Sequence, residues 1–185
     1  IEEVKRHLPV MLEAAQILSA DLPNLQFVIA KPEPLPESLY QERGGEEKRE
    51  PVPIRVITSH TYDILHISDA AMVCSGSATL ETALMNVPMV VIYKTNWLNY
   101  FLGRLVVKIP DIALVNVIAG KRIVPELLQR HATGPVIAKA LRPMIGPVEM
   151  AEYVREELSR VRKKLGMHGA AQRAAETILE VLHHD

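Results

Sequence analysis

Three short runs constrain this chain most: "IRVITS" at 54–59, "AAMVCS" at 70–75 and "PMVVIYK" at 88–94. The last two are apolar almost throughout rather than alternating, the pattern of strands buried on both faces. Helix-like segments separate the three: "TYDILHISDA" at 61–70 and "SATLETALMN" at 77–86. Strands alternating with helices in this way predict an α/β fold, a parallel sheet with helices on both faces.

The flanks extend the pattern. Val4, Leu8, Met11, Leu12, Ala15 and Leu18 recur at helical spacing over 2–20, with Pro9 inside the run as a source of a kink or a later start. "LQFVIA" at 25–30 reads as a strand, 36–43 as a short helix and the charged run at 42–50 as a solvated loop. Beyond the central runs, 96–108 reads as a helix, "IALVNV" at 112–117 as a short strand, and "VPELLQRH" and "GPVIAKALRPM" as short helices. A long polar helix is expected at 148–166 and a last one at 169–184. The chain opens on a helix where a doubly wound sheet opens on a strand, so it reads as the latter part of a larger protein.

The bulk properties exclude several classes. The 185 residues suffice for one ordinary domain, and 48% hydrophobic content suffices for a core. A formal net charge of −1 is not that of a general nucleic-acid binder. The single cysteine, Cys74, allows no internal disulfide framework and fits a reducing compartment. No segment approaches the roughly 18 uninterrupted apolar residues of a spanning helix, and the charged N-terminus lacks the apolar core of a signal peptide. The seven histidines show no metal-ligand spacing. The expectation is a soluble, cytoplasmic chain with no metal and no cofactor.

Two stretches carry candidate chemistry. In "CSGSATLE" (74–81) a strand meets a helix through a small-residue turn. Such a turn gathers free backbone N–H groups at the positive end of a helix dipole, a setting that suits a phosphate. Gly76 permits close approach, and Ser77 and Thr79 carry hydroxyls. Glu81, four residues after Ser77, shares its helix face and is suited to paired sugar hydroxyls. The competing reading is local: Ser77 caps the helix and Glu81 complements its dipole. In "LVNVIAGKRIVPELLQ" (114–129), Asn116, Arg122, Glu126 and Gln129 bring polar groups near a strand end, where open parallel sheets bind ligands. The competing reading is a plain surface turn, with Glu126 at a helix start and Gln129 exposed. A third stretch, "NWLNYFLGRLVVK" (96–108), clusters Trp97, Tyr100 and Phe101 ahead of Arg104 and Lys108, either as core or as a face for an acyl chain or lipid surface.

Taken in order, "SGSATLE", "PMVVIY", "LVVK", "LVNVIAG" and "VPELLQ" resemble the C-terminal half of the lipid-A-disaccharide synthase family over about residues 68–129. Helix 2–20 resembles the family helix that follows a Gly-Ser-Arg turn. Ser77 stands where the family usually has threonine, and Val115 where it has proline. The resemblance implies a Rossmann-like domain, the C-terminal half of a GT-B glycosyltransferase, over residues 1–147. Helices in 148–185 are then expected to cross toward an N-terminal domain. It implies transfer of 2,3-diacylglucosamine from UDP to 2,3-diacylglucosamine 1-phosphate, forming the lipid A disaccharide. Ser75, Gly76, Ser77, Ala78 and Thr79 would hold the diphosphate and Glu81 the ribose. Asn116, Arg122, Glu126 and Gln129 would line the donor side of the cleft. Leu98, Tyr100 and Phe101 would meet acyl chains. The general base would lie in the other domain, so this polypeptide alone is expected to be inactive. Peripheral contact with the inner face of the inner membrane and a homodimer formed by exchanging the C-terminal helices are further open expectations. Two other readings compete: another GT-B enzyme acting on UDP-GlcNAc, either an epimerase or an N-acetylglucosaminyltransferase, and a non-catalytic nucleotide-binding interaction domain.

Overall fold

The computed structural model describes residues 1–41, 54–95, 111–166 and 169–182. The expected loop at 42–50 and helix at 96–108, with Leu98, Tyr100 and Phe101, lie outside the described residues. Helix α1 (Glu2–Asp21) leads into β1 (Phe27–Lys31), the short α2 (Ser38–Gln41) and β2 (Ile54–Thr58). Then come α3 (Thr61–His66), β3 (Ala71–Cys74), α4 (Ala78–Leu84) and β4 (Met89–Tyr93). The rest is α5 (Leu114–Ala119), β5 (Glu126–Leu128), α6 (Gly134–Leu141), α7 (Glu149–Leu165) and α8 (Ala170–Leu182), with 3-10 turns at Gln129–His131 and Arg142–Met144.

All the strand pairings are parallel, as the buried runs predict, but the described strands form two sheets. β1 pairs with β2 from Phe27 opposite Ile54 to Lys31 opposite Thr58. β4 is the centre of the second sheet, with β3 on one side and β5 on the other. Met89, Val90, Val91 and Ile92 are each at most 1% exposed. Successive side chains of a strand point to opposite faces, so β4 is covered on both. One group of covering helices is α1 with α6; the other is α4 and α5 with α7. Leu18 of α1, Ile137 of α6 and Val154, Leu158 and Val161 of α7 join β4 in one core. Each such aliphatic side chain stabilises the fold by about 1.5–3 kcal/mol on burial.

Local chemistry sets the helix bounds. α1 runs through Pro9 as one helix and stops at Leu22, where Pro23 disfavours a further helical turn. α5 stops at Gly120, whose φ of 76° is the left-handed conformation glycine adopts without a Cβ penalty. α7 buries Ala151, Val154, Leu158 and Val161, one stripe at helical spacing. α8 differs: Ile178, Leu179 and Val181 are all exposed.

Two expectations are overturned. "IALVNV" is not a strand, because Leu114–Ala119 is helical, and "VPELLQRH" is not a helix, because Glu126–Leu128 is a strand. The open edge of β4 explains the second: Val91 donates its N–H to the Pro125 carbonyl at 2.9 Å, drawing the segment in as a third parallel strand. The Glu126 carboxylate explains the first. It accepts the N–H groups of Ile112 (2.8 Å) and Ala113 (3.0 Å), which lead directly into α5.

Candidate functional site

Strand register brings three segments to one edge. Cys74 lies opposite Ile92, and Tyr93 opposite Leu128. The chain therefore leaves β3 at Ser75, β4 at Lys94 and β5 at Gln129 along the same carboxyl edge, where open parallel sheets bind ligands.

At β3 the turn is exposed at Gly76, Ser77 and Ala78. Ser75 still donates its N–H to Ile92 at 3.0 Å, the last rung of the ladder. The next three backbone N–H groups, of Gly76, Ser77 and Ala78, have no partner among the described residues. Gly76 takes φ of 152°, and a Cβ there would meet nothing within 4 Å, so glycine serves the backbone conformation and the space above it is open. Ser77 occupies the cap position of α4 but makes no side-chain cap hydrogen bond. Thr79 points the other way: it is 0% exposed, and its hydroxyl donates to the Gly76 carbonyl at 2.8 Å. Thr79 thus braces the turn from beneath. The half-buried Glu81 carboxylate makes no hydrogen bond or ion pair among the described residues.

Side chains from distant elements fix the backbone after β4. Lys94 donates its N–H to Nε2 of His7 at 2.9 Å, and Nδ1 of His7 lies 2.8 Å from the Glu3 carbonyl. With Nε2 accepting, the proton belongs on Nδ1, so this buried ring is the neutral Nδ1–H tautomer. Thr95 donates its N–H to Oε1 of Gln129 at 3.3 Å. Gln129 itself adopts φ of 49°, a strained value for a residue with a Cβ.

Asn116 and Glu126 form a brace behind this edge. Asn116 is fully buried, and its Nδ2 donates to the Val124 carbonyl (2.9 Å) and to Oε1 of Glu126 (2.8 Å). Its Oδ1 accepts the N–H groups of Ile123 (2.9 Å) and Val124 (3.1 Å). That is the full hydrogen-bonding capacity of an amide side chain, so Asn116 acts on the edge through the backbone it holds. Arg122 is half exposed and pairs with Asp111 at 2.7 Å. The ten expected donor-side residues therefore divide: the turn, Glu81 and Gln129 face or flank the edge, Asn116 and Glu126 support it, and Arg122 joins a surface ion pair.

His7 has no place in the sequence-based site, although a signal exists. It falls three residues after Val4 and four before Met11, inside the apolar stripe of α1. A titratable ring in that stripe is buried and needs two partners. Cys74, at the end of β3, is no nucleophile: burial, with the Glu3 carboxylate adding to it, pushes its thiol up to about 11. Among the described residues no cluster of His, Cys, Asp or Glu could hold a metal ion.

Known proteins resemble this chain in sequence and in fold. The family model for lipid-A-disaccharide synthetase matches residues 1–181. The chain belongs to the lipid-A-disaccharide synthetase family. It is 42% identical over 180 residues to a lipid-A-disaccharide synthase of Syntrophus aciditrophicus (strain SB), covering 97% of this chain and 46% of the relative. The synthase of Anaeromyxobacter dehalogenans (strain 2CP-C) is 41% identical with the same coverage, and that of Myxococcus xanthus (strain DK1622) 40% identical over 182 residues. The chain thus spans about half the length of these relatives. A solved glycotransferase of kitacinnamycin shares the fold, with a TM-score of 0.52 at 19% identity, over 91% of this chain and 38% of that one.

Proposed function

We propose that this family member is the donor-binding half of a GT-B glycosyltransferase that makes the lipid A disaccharide. The observation that carries the reading is the run of three exposed N–H groups at Gly76, Ser77 and Ala78, without a partner among the described residues, at the carboxyl edge of the sheet. Fixed donors of this kind stabilise a diphosphate as negative charge develops on it during departure. In this reading Ser75–Ala78 hold the UDP diphosphate and Ser77 adds its free hydroxyl. Thr79 keeps the turn in shape, and Glu81 accepts hydrogen bonds from the ribose hydroxyls. Asn116 and Glu126 position the edge, with Arg122 at its rim and Gln129 beside the sugar. Leu98, Tyr100 and Phe101 meet the acyl chains.

The donor is UDP-2,3-diacylglucosamine and the acceptor 2,3-diacylglucosamine 1-phosphate; the products are the tetraacyl disaccharide phosphate and UDP. The general base belongs to the domain facing this one across the cleft. The unit 1–147 binds the donor, and the helices of 148–185 reach toward the facing domain. The exposed apolar residues of α8 support that crossing, or an exchange between two copies. No helix among the described residues is long and apolar enough to cross a membrane. In this reading the enzyme meets its lipid substrates from the cytoplasm, by peripheral contact with the inner face of the inner membrane.

Calorimetric titration tests the reading. The chain should bind UDP without added metal, and UDP-2,3-diacylglucosamine more tightly than UDP-N-acetylglucosamine. No heat with either UDP-sugar would overturn it. Disaccharide formation by this chain alone would refute the placement of the base elsewhere.

A further inference from the structure

Lys94 follows the central strand with a positive charge that no described residue balances. It is half-buried, and its backbone is pinned at two successive N–H groups. Its own goes to Nε2 of His7 at 2.9 Å, and that of Thr95 goes to Oε1 of Gln129 at 3.3 Å. Its ammonium makes no hydrogen bond or ion pair among the described residues. The Glu81 carboxylate is also without a partner there, yet the two do not pair with each other. Other cations of the chain are matched at home: Lys5 with Glu2, Lys121 with Glu157 and Arg122 with Asp111. A half-buried ammonium loses hydration and gains no counter-charge in return. An anion brought by a ligand would supply one.

Register sets what the ammonium can reach. Cys74 lies opposite Ile92, so Lys94 stands level with Gly76, the first of the exposed N–H groups after β3. Neighbouring strands lie about 4.8 Å apart, a gap that the four-carbon stem of lysine spans. The turn itself offers N–H dipoles and no full charge. During transfer the acceptor hydroxyl bonds to the anomeric carbon and gives its proton to the base of the facing domain. The electron pair of the broken carbon–oxygen bond stays on the β-phosphate, where negative charge therefore grows. We propose that the Lys94 ammonium binds the β-phosphate of the nucleotide-sugar donor and balances that charge through a charge-assisted hydrogen bond. The inference rests on the nucleotide-sugar reading above and adds to it the cation that the turn lacks.

The test compares UDP with UMP, which lacks the β-phosphate, on the wild-type chain, K94M and K94R by calorimetric titration at low salt. K94M keeps most of the stem and removes the charge; K94R keeps a charge. The wild type should favour UDP over UMP. K94M should cut that preference by roughly tenfold, the scale of one hydrogen bond between charged groups, and leave UMP affinity nearly unchanged. K94R should retain most of the preference. A UDP-to-UMP ratio that K94M leaves unchanged would overturn the inference and leave the nucleotide site standing. Equal losses for UMP and UDP would reduce Lys94 to a support of the whole edge and overturn it too. A loss confined to glucosamine 1-phosphate would assign the ammonium to the acceptor's phosphate, against the inference. Absence of UDP binding by the wild type would overturn both this inference and the nucleotide site.

Discussion

Replacing Asn116 by aspartate changes one atom of the brace and reverses its chemistry. Oδ1 still accepts from Ile123 and Val124, but the atom that donated to the Val124 carbonyl and to Glu126 becomes a second acceptor. One neutral hydrogen bond, worth about 1 kcal/mol, and one to a carboxylate, worth about 2 kcal/mol, are lost. Two carboxylates are also placed at hydrogen-bonding distance in a buried site, which adds at least ~1 kcal/mol. The expected destabilisation is about 4 kcal/mol at pH 7.5, a large part of a typical domain's 5–15 kcal/mol.

The sign with pH follows. A carboxylate pair crowded in the folded state holds one proton at a pKa above its unfolded value. The penalty is therefore full above the folded pKa and relieved as pH falls through it, because the shared proton restores a donor. N116A removes all four hydrogen bonds but introduces no charge, so its cost should change little over the same range. Urea unfolding at pH 7.5 and 5.0, with m-values checked for constancy, should show N116D recovering relative to N116A on acidification. A cost for N116D below about 1 kcal/mol, or one identical at both pH values, would refute the brace.

Other expectations follow from single contacts. Because Ser77 makes no side-chain cap bond, S77A should leave the unfolding free energy from urea titration within about 0.5 kcal/mol while weakening UDP binding; a loss near the ~1 kcal/mol of a cap with UDP affinity intact would restore the capping role. E81A should weaken UDP binding without loss of fold, since no described group pairs with Glu81; unchanged affinity would remove the ribose role. Glu157 lies below the usual carboxylate range, chiefly through its hydrogen bond from Lys121 and further through the nearby Arg160. The stability of wild type over E157Q should be full above pH 4.5, the ordinary carboxyl value, and vanish as pH falls through the depressed folded value; a gap that persists in acid would disprove the coupling. Gly134 donates its N–H to Glu13 at 3.0 Å, and a Cβ there would collide with the Glu13 side chain. G134A should cost about 1 kcal/mol, the scale of a lost helix cap, and E13A should add little on top, because both remove one contact.

The central fold was legible because each strand of β2, β3 and β4 carries its own signal. Residues 88–93 are apolar on both faces, between turn signals, the pattern of a strand in a covered parallel sheet. The segment 112–131 was not legible for the opposite reason. "IALVNV" is β-branched and apolar, so local preference favours a strand, while "PELLQ" has a helix former's composition. Contacts from elsewhere in the chain decide both: the open edge of β4 draws in residues 126–128, and the Glu126 carboxylate holds the start of α5. Glu126 enters the sheet beside β4 and caps the segment that becomes α5, and neither partner is near it in sequence. Tertiary context overrides propensity in both halves at once.

The candidate site divides along the same line. The Ser-Gly-Ser turn is local, and its placement between a strand and a helix was readable from spacing. The roles within it were not, since a hydroxyl can face a ligand or a carbonyl. Thr79 was expected at the diphosphate, yet its proton goes to Gly76, and its complete burial follows from the α4 face that packs inward. His7 and Gln129 are less legible still. They meet consecutive backbone N–H groups, at Lys94 and Thr95, from positions 87 and 34 residues away. Such pairings depend on register alone, because Tyr93 opposite Leu128 is what sets Gln129 beside Thr95. The residues that aim the edge therefore lie on three elements, and a shift of one residue between β4 and β5 would separate Gln129 from Thr95 while leaving the turn after β3 intact.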